Sequence, residues 1–234
     1  MPQQPTLESH PASGHLRAIA LFCHGGTAAS EQPPRDYALS LIRMRAVEQF
    51  VRGTTSDRGV ATFLLRYRVA GWNGSAADAF ADVRWALEKL RAEYGADVPV
   101  VLVGHSMGGR AALRAGGDDQ VAGVCGLAPW TPPEEPVDHL RGKTVTILHG
   151  TGDRWVPAAL SERFALRARE HGVPVARFTT PGGHSMLRGA HRWHEFTRDT
   201  VLGATGIEPM RADIANALRL PVPEGIAVPL QPAS

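Results

Sequence analysis

Apolar residues in this chain follow two alternating patterns. Short, nearly unbroken apolar runs occupy 17–23, 60–66, 98–103, 121–127, 144–148 and 175–178. Between the first three runs, apolar positions recur at helical spacing: Tyr37, Leu41, Met44, Val47 and Val51, then Phe80, Val83, Leu87, Leu90 and Tyr94, closed by Gly95. Continuous runs predict strands covered on both faces, and the spaced sets predict amphipathic helices. Further helices are predicted from near Ala158, from about Met186 to Val201, and from Arg211 to Leu220. Strands that alternate with helices pair in parallel through right-handed crossovers. The predicted architecture is therefore α/β, a mostly parallel sheet of six strands with helices on both faces. Ligands bind such sheets at the carboxyl ends of the strands.

One domain is expected over 16–203, with no internal repeat. Residues 1–15 are rich in proline and polar groups and read as a flexible arm. Residues 204–234 form a proline-rich tail, either packed on the domain or frayed. A partial cover over the site, or a contact with a second subunit, is a further option for it.

The strongest chemical signal sits on the third strand's end. Gly104-His105-Ser106-Met107-Gly108 follows an apolar run and opens the helical stretch Gly109-Arg110-Ala111-Ala112-Leu113. A serine hydroxyl is a weak nucleophile unless it is exposed, aimed and paired with a base. A sharp strand-to-helix turn does the aiming, at the expense of backbone strain, and glycines two residues to either side leave room for it. The helix that follows starts with free amides, so the Met107 N–H is a candidate donor to a developing oxyanion.

Composition narrows the function classes. The chain has 234 residues and a net charge of +2, with acids and bases interspersed, which disfavours a nucleic-acid surface. Nearly all of the basic residues are arginine, and the richness in alanine and glycine suggests a high-GC bacterial source. The first ten residues lack a basic start and an apolar stretch, and no segment has the length of a membrane span. A cytoplasmic protein without membrane or nucleic-acid partners is the resulting expectation. His191 and His194 stand at helical spacing without a convincing third ligand, so no metal is expected.

With the serine turn in place, the chain resembles the α/β-hydrolase superfamily, and among its members the small lidless serine esterases and dienelactone-hydrolase-like proteins. The resemblance runs from the family's third strand to its last; the first two antiparallel strands have no clear counterpart. It implies the strand order 4-3-5-6-7-8 in the family's count. In that order a strand separates those of Cys23 and Cys125, about 10 Å apart in the sheet and too far for a disulfide, so both are expected to be inert core thiols. The resemblance also implies the chain order serine, acid, base. Gly150-Thr151-Gly152-Asp153-Arg154-Trp155-Val156-Pro157 resembles the family's acid turn and nominates Asp153. Asp138, after the preceding strand, is the weaker candidate. Pro181-Gly182-Gly183-His184 after the last strand nominates His184 as the base. His24-Gly25-Gly26-Thr27 supplies the second oxyanion donor, Gly26 by resemblance, with Gly25 or Thr27 as alternatives in another loop register. His24 and His105 are expected to support these loops rather than to do chemistry.

These residues imply acyl transfer through Ser106, Asp153 and His184 and an acyl-enzyme, with no cofactor. The substrate would be a small-molecule ester or thioester. A carboxylesterase is the leading reading; a thioesterase or acyltransferase using the same serine, or a non-catalytic binding module on a hydrolase scaffold, are the alternatives. The dienelactone reaction itself is disfavoured, because true dienelactone hydrolases use cysteine where Ser106 stands. Only 128–143 separate two strands where large lids are inserted, which predicts an open site. Trp72, Trp130 and Trp155, all on loops at the active end of the sheet, are candidates for an apolar or aromatic pocket, or else plugs of the sheet end. Trp85 and Trp193 are expected in the core. Arg68 and Arg154 flank the region and are candidates to steer a carboxylate. Oligomeric state leaves no trace in the sequence.

Overall fold

The computed structural model describes residues 4–231. Eight strands form one sheet: β1 Thr6–His10, β2 Ala18–Cys23, β3 Val60–Arg66, β4 Val100–His105, β5 Val121–Leu127, β6 Thr144–Gly150, β7 Val175–Thr180 and β8 Val228–Pro229. Their order is β1-β3-β2-β4-β5-β6-β7-β8. All neighbours are parallel except β1, which runs antiparallel to β3. The six central strands follow the expected order, and the sheet gains one strand at each edge.

Side chains alternate along each strand, and both alternating sets are apolar. On β2, Ile19, Leu21 and Cys23 join one core, while Ala20 and Phe22 join the other. Helices α2 (Asp78–Tyr94), α3 (Met107–Ala115) and α4 (Ala158–Glu170) cover the first face through residues such as Leu87, Ala111 and Phe164. Helices α1 (Leu39–Thr55), α5 (Ala190–Ala204) and α6 (Ala212–Arg219) cover the second through Met44, Trp193 and Ile214. This double cover is why the strands lack polar alternation. Cys23 and Cys125 lie in different cores and are both unpaired, and burial pushes their thiols up to about 12 and about 11.

Two expectations need correction. The segment read as a flexible arm over 1–15 contains β1, and its register runs from Thr6 opposite Arg66 to His10 opposite Thr62. Its sequence, Thr-Leu-Glu-Ser-His, is too polar to read as a strand. An edge position tolerates that polarity, and Glu8 accepts hydrogen bonds there from Arg45 at 2.5 Å and Arg66 at 3.3 Å. The strand stands where the antiparallel counterpart was missing. Helix α5 begins at Ala190, after Gly189 with φ of 66°, rather than near Met186.

Within the tail, α6 and β8 pack along β7, and Ile214 and Ile226 are buried. Among the described residues no helix is long and apolar enough to cross a membrane.

Candidate active site

Ser106 directly follows β4 and is the N-cap residue of α3, with φ of 56° and ψ of −119°. A serine reaches this region only under strain, and the surrounding backbone enforces it. The Ser106 N–H donates to the Leu127 carbonyl at 3.1 Å, and the Ser106 carbonyl accepts from Trp130 N–H at 3.0 Å and Arg110 N–H at 3.1 Å. The flanking glycines are sterically required: a Cβ on Gly104 would sit 2.3 Å from the Gly108 carbonyl oxygen, and one on Gly108 would sit 2.2 Å from that of Cys23.

Loops after β6 and β7 bring two more side chains to this serine. His184 Nδ1–H donates to Asp153 Oδ2 at 2.7 Å, which leaves Nε2 to accept from Ser106 Oγ–H at 2.9 Å. The other carboxylate oxygen of Asp153 accepts the N–H groups of Trp155 and Val156, each at 2.9 Å. The Asp153 carboxylate is wholly shielded from solvent, and His184 is 10% exposed. Burial by itself would raise the carboxyl's pKa. Hydrogen bonds from His149, His184 and the Val156 amide outweigh it and hold Asp153 well below the usual carboxylate range.

His149 is the participant that sequence reasoning missed. It is fully buried near the end of β6, with Nε2 3.0 Å from the Val156 carbonyl and 3.3 Å from Asp153 Oδ2. The carbonyl can only accept, so Nε2 carries the proton. The Nδ1 atom pairs with Ser161 Oγ at 2.8 Å, and that oxygen accepts from Arg177 Nε at 3.0 Å. The signal was present in His149-Gly150, but a histidine closing an apolar strand does not announce what it faces.

His24 and His105 brace the loops. His24 Nδ1–H donates to the Gly25 carbonyl at 2.7 Å, and His105 Nε2–H donates to that of His184 at 3.0 Å. Burial lowers their pKa values to about 4 and about 3, so both rings are neutral near pH 7. Gly26 lies against Met107: a Cβ there would be 2.5 Å from Met107 Cε and 2.3 Å from the Ala70 carbonyl oxygen. The Gly26 and Met107 amides have no acceptor among the described residues, whereas Thr27 N–H is spent on Ala70 at 2.9 Å. That bond removes Thr27 from the candidate donors.

A cavity of about 800 Å³ opens on Ser106 and His184. Trp130 and Trp155 line it, and the Trp155 ring, 82% exposed, stands 5.9 Å from that of His184. Trp72 does not line it and is corrected as a pocket residue. It is buried in a stack in which the Arg110 guanidinium lies 3.9 Å from the Trp72 ring centre and 4.6 Å from that of Trp130. Glu135 accepts from both Arg110 and Arg114 and offsets one of their two charges.

Other candidates fall away. Asp138 is an exposed partner of His171 at 2.7 Å and Arg141 at 2.8 Å. Arg68 is committed to Asp82 and Asp78, and Arg154 is exposed outside the cavity wall. His191 is exposed, while His194 is half-buried against Phe50, 5.2 Å between ring centres, rather than facing solvent. No group of three or more potential metal ligands occurs among the described residues.

The sequence profile of the alpha/beta hydrolase family matches residues 20–140, just over half of the chain and inclusive of the serine turn. The chain belongs to the alpha/beta hydrolase family. No curated protein sequence matches it. Among solved structures, this family member is similar to an alpha-beta serine hydrolase homologue from Coxiella burnetii (TM-score 0.63, 15% identity, 84% of this chain and 91% of that one). It is similar to Est1E from Butyrivibrio proteoclasticus bound to ferulic acid (TM-score 0.63, 16% identity, 86% and 96%). It is also similar to XC6422 from Xanthomonas campestris, an α/β serine hydrolase without a lid (TM-score 0.56, 14% identity, 86% and 88%). At these identities the likeness is one of fold.

Proposed function

We propose that this alpha/beta hydrolase cleaves carboxylic esters through Ser106, His184 and Asp153. The observation that carries the reading is the unbroken chain of hydrogen bonds from Ser106 Oγ through His184 to Asp153, at 2.9 and 2.7 Å. His184 Nε2 takes the serine proton as Oγ attacks the ester carbonyl, and Asp153 stabilises the imidazolium that results. The carbonyl oxygen becomes an oxyanion facing the Gly26 and Met107 amides, which have no competing acceptor. His184 then gives its proton to the leaving alkoxide. Water repeats the cycle on the acyl-enzyme and releases the acid and the free serine.

The open cavity and the rings of Trp130 and Trp155 favour a compact or aromatic ester over a long lipid chain. Est1E, which holds ferulic acid, lends this preference some support by analogy. The test is turnover of a phenyl ester by the Ser106→Ala protein. A loss of about 10³-fold or more in kcat is expected; turnover at the wild-type rate would refute the assignment.

A further inference from the structure

The walls of the cavity carry a charge that the reaction above does not use. Arg43, on α1, and Arg35, on the preceding loop, both line it, and among the described residues no aspartate or glutamate does. Asp153, the carboxylate of the triad, is shut off from the cavity behind His184.

Three acids on β1, α1 and the loop before α1 are already paired, and Glu31, exposed on that loop, is not among the cavity's lining residues. Glu8 binds Arg45 and Arg66, Asp36 binds Arg66, and Glu48 binds Thr62 and lies 3.4 Å from Arg52. Arg43 itself is half-buried and has no carboxylate or hydrogen-bond acceptor among the described residues. Burial alone lowers its pKa, with no acid pulling the other way. Its charge reaches the reactive end, where it helps to keep His105 neutral, and His105 donates to the carbonyl of His184. Arg35 stands at the mouth, its guanidinium 5.8 Å from the Tyr37 ring centre.

A half-buried guanidinium without a partner pays part of its desolvation cost with no return in the free protein. A cleft lined by one sign of charge also concentrates ligands of the opposite sign. We infer that Arg43, assisted by Arg35, selects esters that carry a carboxylate away from the scissile bond. This inference rests on the serine-hydrolase reading, and it names the substrate class of the same cavity. The planar fork of arginine suits a carboxylate in two-point contact.

The test uses two matched pairs of substrates. One is the umbelliferyl ester of adipic acid, with its far carboxyl free, against umbelliferyl heptanoate. The other is 4-carboxyphenyl butyrate against phenyl butyrate. At low salt the acidic member of at least one pair is expected to show a kcat/KM about tenfold higher or more. Arg43→Gln should bring that ratio close to one, and Arg43→Lys should keep part of it. Calorimetry with the non-hydrolysable ether analogues of the same pairs reads the preference without turnover, so it stands even if the serine assignment fails. Should Arg43→Gln not fold, the wild-type ratio and its decline in 0.5 M salt still decide. Equal handling of acidic and neutral members in both turnover and binding, or a preference that survives Arg43→Gln, would overturn the inference. Ser106-dependent turnover of the neutral esters without any acidic preference would leave the esterase reading intact and remove this one alone.

Discussion

Asp153, behind the wall of the cavity, and Arg43, on it, are both charged, but the protein treats them in opposite ways. Asp153 is sealed from solvent and accepts from two backbone amides and from His184, with His149 3.3 Å away. Arg43 is half-buried and has no acid partner among the described residues. The loops after β6 and β7 therefore hold their groups at fixed positions before any substrate arrives. The α1 wall leaves its charge to be satisfied by what binds. Chemistry that must be preorganised is placed in buried networks, and selectivity is left to groups with unmet needs.

If buried neutral groups hold the reactive end together, acid should undo it. His24 and His105 take up protons only near pH 4 and pH 3 in the folded chain, against about 6.5 when unfolded. The unfolded chain therefore binds more protons across that interval, and stability falls as pH drops from 6.5 towards 4. A loss on the order of a few kcal/mol between pH 7 and pH 4.5 is expected in urea unfolding. An unchanged midpoint would mean that these rings are not held neutral.

A second way to break the contrast is Gly26→Ala. The added methyl would meet the Ala70 carbonyl oxygen at 2.3 Å and Met107 Cε at 2.5 Å, so the loop must move away from the Met107 amide. The expected loss is about 10²-fold in kcat with KM little changed, as for removal of one oxyanion donor. A loss confined to KM would place the effect on the cavity wall.

The mildest test addresses His149. Leucine there removes the imidazole N–H that faces Asp153 and leaves the carboxylate more basic. About a tenfold fall in kcat is expected, with KM little changed. A fall confined to KM would mean that His149 only shapes the cavity.

Much of this was legible in the residue pattern because the loops of the proposed triad carry constraints that other residues cannot meet. Gly104 and Gly108 have no room for a Cβ, so the serine turn is written into its glycines. The central strands were legible because both of their faces are apolar. Strand β1 was not, since Glu8 and His10 gain their place through arginine and glutamate partners distant in sequence. Trp72 and Trp130 look alike on their loops. Trp72 is buried in the core under both Arg110 and Arg114, which Glu135 from another loop holds in place. Arg43 was hidden for the opposite reason, because a missing partner leaves no mark on a helix pattern.

The most direct measurement is covalent trapping by a fluorophosphonate probe, with the modified residue mapped by mass spectrometry. Stoichiometric attachment to Ser106, slowed by about 10²-fold or more in His184→Ala, is the predicted result. Attachment at another residue, or a rate that does not change when His184 is removed, would contradict the assignment of Ser106 and His184 as nucleophile and base.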